Sequence, residues 1–453
     1  MSVSATPSVA SHGPHVLRRG ATALGVIALA AVLGSGVAVA FGNAAQPSPA
    51  LAAAGGLAAL AALALALARY ETAVALGMLI IGVVFVEPSP PDAVLSIVVA
   101  VAIVTGRFTL RRVPLPILAL LGFFLVLNFV SAVFATQPSR AAIYVLITIY
   151  LCAFSIWLTG FVDSAHRARL IVVPLVAGAV ATAAIGVAVL FVRFPGSGLL
   201  DFSDGYRARG FFKDPNVFGP FCVFPALLVV SELLEPRLLR ARRTLKLTLL
   251  IVLALGVLFA YSRAAWLNAA VAAVTMIVAY SLRRGGSRNA AAILITLVVL
   301  AGVGSITLAA TGSDQFLSER AHLQRYDTDR FSAQERGLEL AQTYPLGIGP
   351  GQFEGTVGIA SHNTYVRVLA EQGALGLVVV LAVLLATLGL AARNVVLGRD
   401  TFGIASVPLL AGWCGILANS QFVDTLHWRH AWLVAGLIWA GAMRSSGEAS
   451  QAL

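Results

Sequence analysis

The sequence predicts an all-α polytopic membrane protein with about 12–14 transmembrane helices and one long, partly helical external loop. Three observations carry that expectation. Of 453 residues, 59% are hydrophobic and only 11% charged, where a soluble chain has about a quarter charged. Apolar runs near the length of about 20 residues needed to cross a bilayer recur along the chain, continuously apolar rather than alternating, so helices are expected and a barrel is not. Residues 312–363 form the one long polar interruption.

In chain order, residues 1–20 are polar and rich in Ser and Pro and read as a disordered cytoplasmic N-terminus. Apolar stretches follow near 21–41, 50–68, 72–86, 92–106, 114–134, 141–162, 170–192, 216–234, 246–261, 264–282, 289–311, 364–392, 402–419 and 430–444. The stretch 21–41 follows Arg18-Arg19 and is longer than the 7–15 residues of a signal-peptide core, so it reads as a retained first span. The pair 72–86 and 92–106 is short and divided by Glu87-Pro88-Ser89-Pro90-Pro91-Asp92; a re-entrant hairpin there lowers the count to 12 without moving the ends to opposite sides. The transmembrane part thus runs from 21 to 311, with an external loop at 193–215. The long external loop occupies 312–363, further spans occupy 364–444, and 445–453 is a cytoplasmic tail. Cys152, Cys222 and Cys414 lie inside apolar runs without disulfide or metal-ligand spacing and read as small apolar fillers.

The net charge of +11 combines 31 basic residues, 29 of them Arg, with 20 acids. With both termini cytoplasmic, the inner loops receive 19 of the basic residues and the outer loops 12, giving about +13 inside and −2 outside. Divided by topology in this way, the charge forms no soluble basic face, and no nucleic-acid partner is expected. No acid lies deep in a span apart from Glu232 at a cytoplasmic end, which disfavours an ion-coupled transporter.

The chemistry-bearing residues cluster at the external ends. Arginine there runs against the topology rule, but its planar fork suits a lipid-linked phosphate. Arg320, Arg325 and Arg336 stand close to Glu319, Asp327 and Glu335 and read as solvated loop pairs. Arg263, in Tyr261-Ser262-Arg263, sits where two spans leave almost no loop, so its side chain is expected at the mouth of a tight hairpin as a ligand for an anion. The strip from Tyr206 to Asn216, with Arg207, Arg209 and Lys213, leads into a span, and Asp214-Pro215-Asn216 has the form of a helix start. In the long loop, Ser332 and Glu335 have capping-box spacing, and Phe331, Leu338 and Ala341 fall roughly on one helical face. The glycines of Tyr344-Pro-Leu-Gly-Ile-Gly-Pro-Gly-Gln-Phe353 follow no strand and read as backbone turns at Gly347, Gly349 and Gly351, not as a nucleotide loop. His362 lies beside Ser361, Asn363 and Tyr365 at the start of a span, where an imidazole can take a proton from a hydroxyl and return it.

Five motifs in order resemble the O-antigen ligase and polymerase superfamily: Arg207 to Asn216, Tyr261-Ser-Arg-Ala-Ala-Trp-Leu267, Pro345 to Phe353 with Arg330 fifteen residues upstream, His362-Asn-Thr-Tyr365 running to Glu371-Gln-Gly-Ala-Leu-Gly376, and His427-Trp-Arg429. The resemblance covers about 200–445. It implies a C-type glycosyltransferase that moves a glycan from a polyprenyl-diphosphate carrier to an acceptor hydroxyl of a glycan or glycolipid at the outer face of the cytoplasmic membrane. It further implies His362, Arg263 and Arg330 as catalytic residues, with Arg207, Arg209, Lys213, Asn216, Asn363, Tyr365 and Arg429 binding substrate, no cofactor and no metal. Ligase and polymerase are not separated by these motifs, and the near-exclusive use of Arg and two extra spans depart from the enterobacterial ligases. A lipid-linked oligosaccharide flippase or another transporter is the alternative; it calls for basic residues within the bundle and short external loops. A non-catalytic scaffold leaves the external arginines beside a histidine unexplained.

Overall fold

A computed structural model of the chain describes residues 49–85, 89–200, 206–283, 286–321 and 325–443. The expected first span at 21–41, the N-terminal segment and the tail lie outside them. The described elements are α1 Pro49–Ala68, α2 Tyr70–Leu79, α3 Pro90–Val104, α4 Leu115–Ala132, α5 Pro138–Phe161, α6 Ala165–Phe191, α7 Pro215–Leu234, α8 Arg243–Phe259, α9 Arg263–Ser281, α10 Ser287–Thr311, α11 Asp314–Ala321, α12 Arg325–Thr343, α13 Phe353–Val357, α14 Thr364–Val396, α15 Ser406–Asn419 and α16 Arg429–Ala442. Among the described residues seven of these, α4, α5, α6, α7, α9, α10 and α14, are long and apolar enough to span a membrane. The protein is an all-α polytopic membrane protein.

Helices occupy all thirteen apolar stretches that fall among the described residues, but 72–86 is helical only as far as Leu79. Ten residues rise about 15 Å, half a bilayer. Beyond them the chain unwinds through Gly82, whose place beneath the Phe221 ring leaves no room for a side chain, and Val84 N–H donates to Phe211 O at 2.7 Å. Ile81 and Val84 are buried, and protein covers this irregular backbone as an apolar environment demands.

The core is continuous from α2 to α16. α9 packs along α15, α7 along α8, α5 along α16 and α4 along α14. At the outside, α10 presents Leu294, Ile295, Val298 and Ile306, as a helix facing lipid does. Each described ion pair joins two charges that the alternation of the helices places at the same end of the bundle. Arg112–Asp163, Arg237–Asp400 and Lys246–Glu232 lie at one end, and Arg140–Glu354, Arg263–Asp327, Arg367–Asp424 and Arg429–Asp92 at the other. The second group gathers around the long loop.

The loop helix differs from expectation in register. α12 begins at Arg325, so Ser332 and Glu335 lie mid-helix and form no capping box. Its packed face is Ala333 and Gly337, while Phe331 and Leu338 point outward. Close approach decides this: a Cβ on Gly337 would stand 2.6 Å from Val366 and 2.8 Å from the Phe353 ring. The large apolar side chains on the opposite face cannot fit that contact.

Candidate functional site

The floor of the loop end is built where α14 starts. Gly373, at φ 73°, breaks α14 nine residues in. Into that break docks the glycine loop: Ile348 N–H donates to Ala370 O and Gly349 N–H to Glu371 O, both at 3.0 Å. A Cβ on Gly347 would lie 2.2 Å from Glu371 O, so these glycines serve the backbone approach expected of them. The Glu371 carboxylate accepts from Gly351 N–H at 2.8 Å and Phe353 N–H at 3.1 Å. Arg367, one turn earlier, donates Nε to Glu371 at 3.3 Å and Nη1 to Asp424 at 2.5 Å, and lies 5.0 Å from the Tyr144 ring centre. Gln352 ties the loop to the α4–α5 hairpin by accepting from Gln137 N–H at 2.9 Å and Thr136 Oγ1 at 3.0 Å. Burial would raise the Asp424 carboxyl, but Arg367 and His427 hold it below the ordinary value. Burial pushes the His427 imidazole down to about 4, with Asp424 opposing and Arg367 and Arg429 assisting.

Above this floor stand the three residues expected to be catalytic. His362 has φ 48°, a left-handed conformation that costs about 1 kcal/mol or more for a residue with a Cβ. Its neighbours hold it there. Asn363 caps α14, its Oδ1 accepting from Tyr365 N–H at 2.9 Å and Val366 N–H at 3.1 Å while its Nδ2 donates to Gln421 O at 3.1 Å. Ser361 Oγ donates to Asn363 O at 3.1 Å. The His362 ring itself is half-buried and makes no hydrogen bond among the described residues. Burial, reinforced by the Arg330 guanidinium, holds it below the ordinary value of 6.5 against the upward pull of Asp214, Glu354 and Asp424. The ring is thereby kept neutral, with a nitrogen able to accept a proton.

Arg263 opens α9 behind the Ser262 N-cap, at the hairpin mouth anticipated for it. Its Nη2 donates to both carboxylate oxygens of Asp327, at 2.5 and 2.6 Å. The Asp327 side chain is 9% exposed and that of Arg263 30%, so the pair is only partly shielded from solvent. Asp327 and Arg330 are three residues apart on α12 and therefore share a face. Through α12, Asp327 meets Arg263 and Arg330 acts on His362. Arg336, by contrast, reaches back to Val357 O at 3.5 Å.

The residues expected to bind substrate divide. Arg207 is buried, its Nε donating to Ala260 O and its Nη2 to Asn216 Oδ1, both at 3.0 Å; with Ala208 N–H donating to Phe259 O at 2.8 Å, it anchors the strip 206–216 to the hairpin mouth. Asp214 caps α7 as its sequence indicates, accepting from Asn216 N–H at 2.8 Å, and is also among the charges acting on His362. Arg209 donates to Leu200 O at 3.2 Å, and Lys213 is exposed. Tyr365 Oη donates to Leu417 O at 3.3 Å, and Arg429 grips Asp92 with two nitrogens. Arg207, Asn363 and Arg429 thus each bond to groups of the protein itself. Sequence reasoning missed Arg367 and Asp424, and Asp327 as the partner of Arg263. An Arg at i with Glu at i+4 was the available signal for Arg367–Glu371; nothing local announces Asp424. Two clefts of the bundle surface lie at its other end, beside Glu232, but the neutral imidazole near Arg330 is here.

The O-antigen ligase family model matches residues 248–381, less than a third of the chain. That segment contains Arg263, Arg330, His362, the glycine loop and Glu371, and the match supports the O-antigen ligase and polymerase superfamily. No curated protein matches the chain.

Proposed function

We propose that this protein transfers an oligo- or polysaccharide from a polyprenyl-diphosphate carrier to an acceptor hydroxyl at the outer face of the cytoplasmic membrane, as a ligase or a polymerase. The observation that carries this reading is the convergence of Arg263, Arg330 and His362 on one face of α12, over a rigid floor and within the matched segment.

The reaction forms a bond from the acceptor oxygen to the anomeric carbon and breaks the bond from that carbon to the diphosphate. His362, neutral at pH 7, takes the acceptor proton and passes it to water. Negative charge grows on the departing polyprenyl diphosphate, and Arg263 and Arg330 are placed to stabilise it in a partly dehydrated site. Before the donor arrives, Asp327 supplies Arg263 with a carboxylate where a phosphate oxygen would bind, so donor entry exchanges one anion for another. Acceptor and donor both approach from the side that α12 overhangs, with the carrier's lipid tail remaining among the helices.

The test is transfer by the purified protein in lipid, given polyprenyl-diphosphate glycan and an acceptor but no nucleotide sugar. A new glycosidic bond whose formation is lost in His362→Ala and weakened in Arg263→Ala and Arg330→Ala, each folding normally, supports the reading. Translocation of the carrier across a liposome without bond formation would replace it with a flippase.

A further inference from the structure

At the end of the bundle opposite the candidate site, the connection from α7 to α8 encloses a cleft of about 410 Å³ whose walls include Arg237, Arg240, Arg243, Lys246 and Leu239. The charges within it are not equivalent. Lys246 is buried and donates to Glu232 O at 2.8 Å and Oε2 at 3.2 Å, and the same carboxylate accepts from Arg237 N–H at 3.0 Å and Leu238 N–H at 2.7 Å. Arg237 is held by Glu235 and Asp400, each at 2.9 Å. Those charges are balanced by the fold. Arg240, Arg242 and Arg243 are exposed, and none has an ion pair or side-chain hydrogen bond among the described residues. They stand together where α8 begins, with no acid in its first turn, although the positive end of a helix favours anions and not cations.

We infer that this cleft binds the phosphate headgroup of an anionic phospholipid, with Arg240 and Arg243 as its forked ligands. Guanidinium groups match phosphate oxygens in pairs, and an anion there relieves their mutual repulsion. A lipid is favoured over a soluble anion by what adjoins the arginines: Leu239 lines the cleft, and Leu245 and Leu247 are 50% and 41% exposed on the same first turns of α8, a surface for acyl chains.

The experiment is native mass spectrometry of the full-length protein in detergent, titrated with phosphatidylglycerol or phosphatidylcholine of matched chains. The wild type should retain phosphatidylglycerol preferentially. Arg240→Gln with Arg243→Gln should weaken that binding about 30-fold, two contributions of ~1 kcal/mol each. Arg69→Gln with Arg111→Gln, two exposed arginines elsewhere at the same end, should leave it unchanged. Should the first pair fail to fold, Arg240→Gln alone carries the test, with about a fivefold loss expected. Equal retention of the two lipids, or equal loss in both double variants, overturns the site in favour of a general basic surface. Displacement of the lipid by inorganic phosphate at matched concentration overturns the lipid assignment in favour of a soluble anion.

Discussion

The loop end of the bundle has two tiers that use the same side chain for opposite purposes. In the floor, Arg367 and Arg429 are 8% and 16% exposed and are consumed by Glu371, Asp424 and Asp92. In the overhanging tier, Arg263 is nearly a third exposed, and Arg330 sits near enough to a half-buried histidine to depress its proton affinity. An arginine surrounded by its own protein's carboxylates is part of the scaffold; a partly exposed one near a neutral imidazole is the kind we propose to meet substrate. Residue type does not distinguish them, but burial and partner geometry do.

The largest effect that would break this comparison is His362→Gln. Removing a general base costs roughly 10²–10⁴-fold in transfer rate, and because the His362 ring makes no hydrogen bond among the described residues, thermal stability should barely change. Rate and melting temperature measured on one preparation decide it: a large drop in both would move His362 into the floor. Arg367→Gln should behave the other way. It leaves the buried Glu371 and the partly buried Asp424 without their cation, a defect of about 3–5 kcal/mol, seen as lost folded yield before any kinetic change can be read. Full stability with selective loss of transfer would instead move Arg367 to the substrate side.

This distinction also explains what could be read in the sequence. Helix positions among the described residues were legible because a membrane span must be apolar, while the unwinding after Leu79 escaped, since it depends on Gly82 lying under the Phe221 ring. Arg263 was legible because a hairpin with no loop leaves its first residue one exit. The position of His362 just before a span was legible as well. The face of α12 was not: periodicity favoured Phe331 and Leu338, while contact distance selected Ala333 and Gly337. Nor was the fate of Arg207 and Arg429, because their partners Ala260 and Asp92 are 53 and 337 residues away. A chain read locally cannot show which cations are already satisfied.

A smaller effect sharpens the boundary between tiers. Asn363→Ala removes the α14 cap and should cost about 1 kcal/mol in stability. Since the same cap holds the backbone that presents His362 at φ 48°, transfer should fall by more than stability alone explains. Asn363→Asp keeps the capping oxygen and should restore most of it; a variant that stays inactive at full stability would place the Asn363 amide in contact with substrate.

The smallest and most specific effect concerns Arg330. Burial and Arg330 both keep His362 below 6.5, so the acidic limb of kcat/KM in the wild type should lie below that pH, where the imidazole gains its proton and ceases to be a base. In Arg330→Gln one of the two depressing influences is gone while Asp214, Glu354 and Asp424 still pull upward, so the limb must move to higher pH. Stability has the same sign. The folded His362 binds protons more weakly than the unfolded, so its contribution is complete above 6.5 and falls as pH drops through 6.5 toward the folded value; the variant should lose less over that window. Rate lost by removing a phosphate ligand is present at every pH and cannot imitate a displaced limb. A limb that stays in place or moves toward acid would show that Arg330 does not act on His362, and the two residues would then belong to separate parts of the loop end.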